Sequence, residues 1–368
     1  MDKKIRVAVL YGGKSGEHEV SLQSAASVIE AMDPAEYDVV PVLIDKEGRW
    51  ETGNRALPAL EGKVNPKLLE TIRERTPQLQ LPEAVSRSLP AISLDEVDVV
   101  FPVLHGTYGE DGTIQGLLEI ADIPYVGAGV MASAVGMDKV MMKKVFAQEG
   151  LPQGDFDFFL RRRLENDMDG VVADIEGRFD YPVFIKPANL GSSVGISKAR
   201  QADELKKALL LAAQYDRKVI VEEFIDAREV EVAVLGNEEP EASDPGEIVS
   251  SNDFYDYKAK YVDGKSVMRI PAELSDEMRE AIRQLAIRAY RAIDCTGLAR
   301  VDFFVKNEDG TVLINEINTM PGFTPYSMYA NLWKHSGLSY SDLVNRLVQL
   351  ALDRYQDKKK TRTQFDVE

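Results

Sequence analysis

Cysteine is almost missing from this chain. Cys295 is the only one in 368 residues, which excludes an internal disulfide framework and fits a reducing compartment. Histidine is nearly as scarce, with His18, His105 and His335 alone. Three imidazoles and one thiol cannot build a Cys-rich zinc centre, so any metal should be a hard ion held by carboxylates. Positive charge is in deficit, with 44 Lys and Arg against 61 Asp and Glu, a formal charge of −17. Nucleic acid and anionic membrane both need clustered cations, so neither is an expected partner. A few converging Lys and Arg can still make a local site for an anionic substrate. No apolar run approaches the ~20 residues of a membrane span, and Tyr11-Gly12-Gly13-Lys14 ends the first apolar stretch too early for a signal peptide. The expectation is a cytoplasmic chain.

Apolar material is plentiful, at 44% against 29% charged, and the length suits two to three domains with their own cores. The first third alternates strand and helix patterns: strands at Ile5–Leu10, Tyr37–Ile44 and Val97–Leu104, helices at Val20–Met32 and Thr113–Ala121. Such alternation means βαβ units and a parallel sheet, with ligands beyond the carboxyl ends of the strands. The loops Gly12–Glu19 and His105–Gly112 fall there. Residues 51–96 are weakly patterned helix and loop. A long amphipathic helix is expected over Met131–Gln148, ending at the boundary Gly150-Leu151-Pro152. Strands Asp157–Leu160, Pro182–Lys186 and Lys218–Phe224 around a helix at Ala202–Gln214 form an α+β unit. A further unit opens at Glu229–Leu235 and holds a helix at Asp276–Ile293, strands at Ala299–Val305 and Thr311–Asn315, and a helix at Tyr340–Tyr355 before a frayed tail, Asp357–Glu368.

Gly12-Gly13-Lys14-Ser15 fits neither a P-loop, which would need glycine at position 8, nor G-x-G-x-x-G. Its Glu17 is either a solvated loop acid or a receptor for a substrate ammonium. Lys186 ends a strand before a loop with Gly191 and Gly195, either an ordinary hairpin loop or a cradle of N–H donors for phosphate. Glu222-Glu223 ends another strand, either solvated or accepting from an adenine amine and ribose hydroxyls.

The strongest pattern is Arg300-Val301-Asp302 followed by Glu316-Ile317-Asn318. Residues two apart on a strand share a face, so each pair points one way. A two-residue turn at Asp309-Gly310 would set Asp302 opposite Ile317, on the wrong face. A three-residue turn, Glu308-Asp309-Gly310, sets it opposite Glu316 and puts glycine where a left-handed residue is needed, and that turn is the one predicted. Two acids and an amide on one face suit magnesium. A purely structural ion pair with Arg300 would leave surplus buried negative charge.

Together these motifs resemble the ATP-grasp superfamily and, within it, the D-alanine–D-alanine ligase family. The resemblance runs from Ile5 to about Leu352. It rests on Gly12-Gly13-x-Ser15-x-Glu17-x-Glu19-Val20-Ser21, Leu104-His105-Gly106, Met137-Asp138-Lys139, Lys186-Pro187, Gly191-Ser192-Ser193-Val194-Gly195, Tyr255-Asp256-Tyr257-Lys258-Ala259-Lys260-Tyr261, Arg300-Val301-Asp302 and Glu316-Ile317-Asn318-Thr319-x-Pro321-Gly322. It implies an α/β and α+β molecule of ATP-grasp fold. The parts would be an N-terminal parallel, Rossmann-like domain (1–136), a central ATP-grasp subdomain (137–226) and a C-terminal one (227–368) with the magnesium site and a lid at about 250–265.

The implied reaction is ligation of two D-alanines through an acyl phosphate, for peptidoglycan precursors, in a homodimer joined through the N-terminal domain. The resemblance assigns ATP to Lys139, Lys186, Ser192, Ser193, Glu222, Glu223 (through its backbone), Phe224, Ile225, Glu229, Lys260, Asn315 and Glu316, with Phe184 and Phe304 packing the adenine. Two Mg²⁺ ions, or Mn²⁺ in their place, would be held by Asp302, Glu316 and Asn318. Glu17 would take the first substrate's ammonium, with His105 near its carboxylate. Arg300 and the Gly322 N–H would stabilise the oxyanion, and Ser327 and Met328 would bind the second carboxylate. Ser192, Tyr261 and Glu17 would form a closing triad. Tyr261 stands where D-alanine–D-lactate ligases carry histidine, which implies an amine nucleophile. The alternatives are another ATP-grasp carboxylate–amine ligase, a D-serine or D-lactate ligase, and a regulatory nucleotide binder without catalysis.

Overall fold

The computed structural model describes residues 3–75, 97–191, 194–249 and 267–362. Ser192, Ser193, the expected lid, and with it Lys260 and Tyr261, lie outside them.

The first sheet runs in the order β3 (Trp50–Thr52), β2 (Tyr37–Ile44), β1 (Ile5–Gly12), β4 (Val99–Pro102), parallel except for the edge strand β3. Successive side chains of β1 enter different cores. Val7, Val9 and Tyr11 pack with Leu22, Ala25 and Ile29 of α1 (His18–Ala31), while Ala8 and Leu10 pack with Ile114 and Leu118 of α3 (Thr113–Ile120). A strand covered on both faces must be apolar throughout, which is why it shows no alternation. The chain then turns at Gly12, where φ is +90° and a Cβ would lie 2.2 Å from the Ile44 carbonyl oxygen. Only glycine fits. A short helix α2 (Pro66–Arg75) lies beyond β3.

The long helix expected over 131–148 is two, α4 (Val130–Met137) and α5 (Lys139–Gln148). Asp138 breaks it: at ψ 97° its carboxylate accepts the N–H groups of Val140 and Met141, both at 3.1 Å, and caps the second helix.

The central sheet is antiparallel, ordered β5 (Phe156–Leu160), β8 (Lys218–Glu223), β6 (Val183–Pro187), β7 (Ser197–Ala199). Val183, Ile185, Val219 and Val221 face α7 (Met168–Glu176) and α8 (Ala202–Tyr215), and α6 (Arg161–Asn166) adds Leu164 to that core. The alternate residues Phe184, Lys186 and Glu222 therefore face away from it.

The third sheet is antiparallel, ordered β12 (Val267–Arg269), β11 (Gly246–Val249), β9 (Ala227–Gly236), β13 (Gly297–Lys306), β14 (Val312–Asn318), with β10 (Glu241–Ala242) beside β9. One face, Val230, Val232, Val301 and Phe303, packs on α9 (Asp276–Ala292). The other face is divided. Ala233, Leu235 and Leu298 join the core shared by the first sheet, α10 (Met328–His335) and α11 (Tyr340–Lys358). Glu229, Glu231, Arg300, Asp302 and Phe304, on the same face by register, are left for chemistry.

Asp302 does stand opposite Glu316, and Arg300 opposite Asn318, but not through the expected turn. Gly310 N donates to Lys306 O at 3.0 Å and Lys306 N to Thr311 O at 2.9 Å, so the turn has four residues, Asn307 to Gly310. That turn pairs Phe303 with Ile314, and the register shifts between Asp302 and Phe303. One extra residue on β14, Asn315, is the bulge that restores the pairing. Gly310 is left-handed, at φ +73°.

The tail also differs. α11 continues through Lys358, and Lys358 and Lys359 pair with Glu119 and Asp122. Arg354 donates to the Gly127 and Tyr125 carbonyls at 2.5 and 2.8 Å. These contacts hold the end of the helix against the first sheet's margin where fraying was expected over 357–362, and 363–368 lie outside the described residues.

Candidate active site

Two cavities meet at one side chain. The first, about 300 Å³, is lined by Glu17, His105, Lys139, Arg300, Asn318, Gly322, Ser327 and Met328, and by Glu316. The second, about 400 Å³, is lined by Phe184, Lys186, Glu222, Glu223, Phe224, Ile225, Glu229, Phe304 and Asn315, and again by Glu316. Every expected site residue within the described segments lines one or the other, except Asp302.

In the first cavity Glu17 precedes α1, and a Cβ on Gly106 would lie 2.8 Å from its Oε2. Gly106, at φ +79°, lets the loop after β4 approach this carboxylate. His105 is buried, with Nε2 3.1 Å from Ser24 Oγ and Nδ1 3.6 Å from Glu110 Oε1. Burial pulls its pKa down, but the Glu110 carboxylate, with Glu17 behind it, outweighs that and raises it. Arg300 makes a bidentate pair with Asp302, at 2.7 and 2.6 Å, and its Nε lies 3.0 Å from Glu231 Oε2. Burial works against the guanidinium charge, and the two carboxylates more than restore it, lifting its pKa well above the ordinary value. Asp302 is thus occupied by Arg300 and lines neither cavity, although it stands opposite Glu316 in the sheet. Lys139 Nζ lies 3.6 Å from Glu316 Oε2 and donates to Leu190 O at 3.0 Å. Ser327 Oγ accepts from Thr324 N at 3.0 Å at the N-terminus of α10, an end that favours anions.

In the second cavity Glu222 is held from both sides, by Lys143 at 3.0 Å and Lys186 at 2.5 Å. Burial raises a carboxyl, but the two ammonium groups prevail and hold Glu222 at about 2. The Phe184 and Phe224 rings lie 6.2 Å apart, with Lys198 Nζ 3.8 Å above Phe224. Glu223 turns its carboxylate to Asp155 N at 2.8 Å, and its own N–H donates to Asp155 O at 3.2 Å.

Sequence reasoning missed Lys143, Lys198, Glu110 and Glu231. Lys143 lies four residues after Lys139, and Glu231 two after Glu229, so helix and strand periodicity could have found both. Glu110 and Lys198 give no such signal.

Among the described residues no group of three or more His, Cys, Asp or Glu is arranged to hold a metal ion. Asp302, Glu316 and Asn318 nevertheless offer only oxygen donors on adjacent strands, and that donor chemistry fits a hard divalent cation. Asn318 Oδ1 already accepts from Met320 N at 3.1 Å, which fixes its amide.

The family model for the N-terminus of D-ala D-ala ligase matches residues 6–128, and that for the C-terminus matches residues 145–349. The chain is 51% identical over 373 residues to the D-alanine–D-alanine ligase of Acetivibrio thermocellus, covering 98% of this chain and 99% of that protein. To the ligase of Geobacillus thermodenitrificans it is 51% identical over 355 residues, covering 96% and 97%. The solved D-alanine–D-alanine ligase of Coxiella burnetii superposes with a TM-score of 0.79 at 36% identity over 97% of this chain and 98% of that one. The VanG D-Ala:D-Ser ligase of Enterococcus faecalis gives 0.79 at 37% over 95% and 100%.

Proposed function

The chain belongs to the D-alanine–D-alanine ligase family, and from that premise we propose that it joins two D-alanines to D-alanyl-D-alanine, converting ATP to ADP and phosphate, as a step towards peptidoglycan. The observation that supports this reading is Glu316, the one residue among those described that lines both cavities.

In the first cavity Glu17 takes the ammonium of the first D-alanine, and His105 stands by its carboxylate. Phe184, Phe224 and Phe304 clasp the adenine, Glu222 accepts from its amine, and Glu229 accepts from the ribose. Lys139 and Lys186 draw the phosphates towards Glu316. A carboxylate oxygen of the first substrate attacks the γ-phosphorus, the bond to the β-phosphate oxygen breaks, and ADP departs. The amine of the second D-alanine, its carboxylate at Ser327 and the N-terminus of α10, then adds to the acyl carbon. Arg300 and the Gly322 N–H stabilise the resulting oxyanion until phosphate leaves with the original carboxylate oxygen. Bringing a carboxylate onto a triphosphate concentrates negative charge, and Lys139, Lys186 and Arg300 offset it locally despite the net −17. Asp302, Glu316 and Asn318 would hold two magnesium ions, which supply charge neutralisation at the transferring phosphoryl group.

The same reading assigns residues 1–136, 137–226 and 227–368 to the N-terminal, central and C-terminal parts, and places a homodimer in the cytoplasm. Residues 250–265 would close over the acyl phosphate to exclude water, with Lys260 on the phosphates and Tyr261 meeting Ser192 and Glu17; Ser193 would add an N–H to the phosphates. The likeness to a D-Ala:D-Ser ligase supports D-serine as a second reading for the second substrate. Phosphate release with ATP and Mg²⁺ separates them, run across D-alanine, D-serine and D-lactate with the product weighed by mass spectrometry. D-Alanine alone should support turnover and give the dipeptide. Equal turnover with L-alanine would refute the substrate assignment.

A further inference from the structure

Lys143 has no part in that reaction, yet its position is unusual for a lysine. It lies on α5 one turn beyond Lys139, is 3% exposed, and its Nζ is 3.0 Å from Glu222 Oε1 and 5.7 Å from the Phe156 ring centre. Lys186 holds the other carboxylate oxygen, Oε2, at 2.5 Å. In the sheet Glu222 stands between Phe156 and Phe184 by register. An ammonium on each oxygen fixes the plane of the carboxylate and keeps it ionised in a buried place. Lys186 is shared, since Glu229 and Glu316 also act on it across the cavity. Lys143 approaches from the other side.

An ionised carboxylate only accepts hydrogen bonds. Fixed in a cavity walled by aromatic rings, it suits a planar base that presents an N–H donor and disfavours one that presents a carbonyl. We propose that Lys143 is a positioning residue that fixes Glu222 as an acceptor and so makes this cavity select adenine over a base with oxygen in place of the amine. The proposal deepens the reading of this cavity as the nucleotide site and rests on it.

The test compares ATP with inosine triphosphate, which carries that replacement, using binding by isothermal titration and steady-state kinetics on the full chain. Losing one hold on a charged hydrogen-bonding group corresponds to roughly ten- to hundredfold in affinity. In Lys143→Met, ATP binding should weaken by about tenfold or more, with the effect falling on the KM for ATP far more than on kcat. Inosine triphosphate binding should change much less, so the preference between the two nucleotides narrows. Lys143→Arg should restore most of the preference. Should the methionine variant not fold, Lys143→Gln carries the same comparison. An unchanged preference in a folded variant, equal weakening of both nucleotides, or no recovery with arginine overturns the proposal. Wild-type protein that binds neither nucleotide overturns the nucleotide reading itself, and this assignment with it.

Discussion

The second cavity is walled largely by antiparallel strands, β6, β8, β9, β13 and β14, whereas the first is walled mostly by loops and helix starts: the turns after β1 and β4, α1, and the segment from Thr319 to Met328. The strand-built cavity fixes its charges by register, so Glu222 meets its partners through a pleat that the sheet core dictates. The loop-built cavity fixes its charges through side chains that hold one another, as with Ser24, His105 and Glu110. On the proposed reading the first construction serves to place a large ligand rigidly. The second leaves each small-substrate contact dependent on one or two neighbours, and substitutions should reveal that difference.

The largest effect is expected where the two constructions touch. Glu316→Gln keeps the shape and removes the charge common to both cavities, so turnover should fall by about 10²- to 10³-fold or more while the circular-dichroism spectrum stays native. A melted spectrum would make Glu316 a structural residue. Next comes Arg300→Met, which strands the buried carboxylates of Asp302 and Glu231. Breaking a buried pair costs about 3–5 kcal/mol, to be read as a lower urea midpoint together with lost turnover. A normal midpoint would mean that the acids relax into solvent.

In the loop-built cavity, Gly106→Ala brings a methyl 2.8 Å from Glu17 Oε2 at a φ of +79°. The cost should be about 1 kcal/mol of stability, with a several-fold rise in the KM for D-alanine and little change in that for ATP. The last comparison is in acid. Glu222 titrates at about 2 in the folded protein against an ordinary 4.5. Because the folded value is depressed, its stabilisation is present above pH ~4.5 and is lost as pH falls towards ~2. Urea midpoints should therefore decline more steeply across that window in the wild type than in Glu222→Gln. Equal slopes would show that Glu222 is not held by its two lysines.

The sequence revealed the site residues borne on strands better than those borne on loops, for a physical reason. Period two is visible in Arg300, Asp302, Glu316 and Asn318, and a pleated strand has to put such residues on one face. The hairpin turn was misread because the Asn315 bulge compensates a four-residue turn, and no local rule marks a bulge whose effect is to cancel a register slip. The single helix over 131–148 was misread because Asp138 fits the apolar spacing of a continuous helix, and only its capping geometry shows the break. That break sets Lys139 at a helix start, and Lys143 one turn on. In the loop-built cavity the roles of His105, Ser327 and Met328 came from family resemblance alone, and Glu17 stood open between solvation and ammonium binding until that resemblance, since loop residues carry no periodicity. The pairing of Glu110 with His105 depends on how the loop after β4 folds back on itself, which spacing does not encode.

The central claim is that an amino-acid carboxylate in one cavity strikes a nucleotide phosphate in the other, beside Glu316. D-Alanine carrying heavy oxygen in its carboxylate tests it directly, through the mass of the phosphate released during dipeptide synthesis. The account predicts phosphate with one heavy oxygen atom for each peptide bond made. Unlabelled phosphate accompanying labelled dipeptide would contradict it, because the carboxylate would then never have been joined to the phosphoryl group.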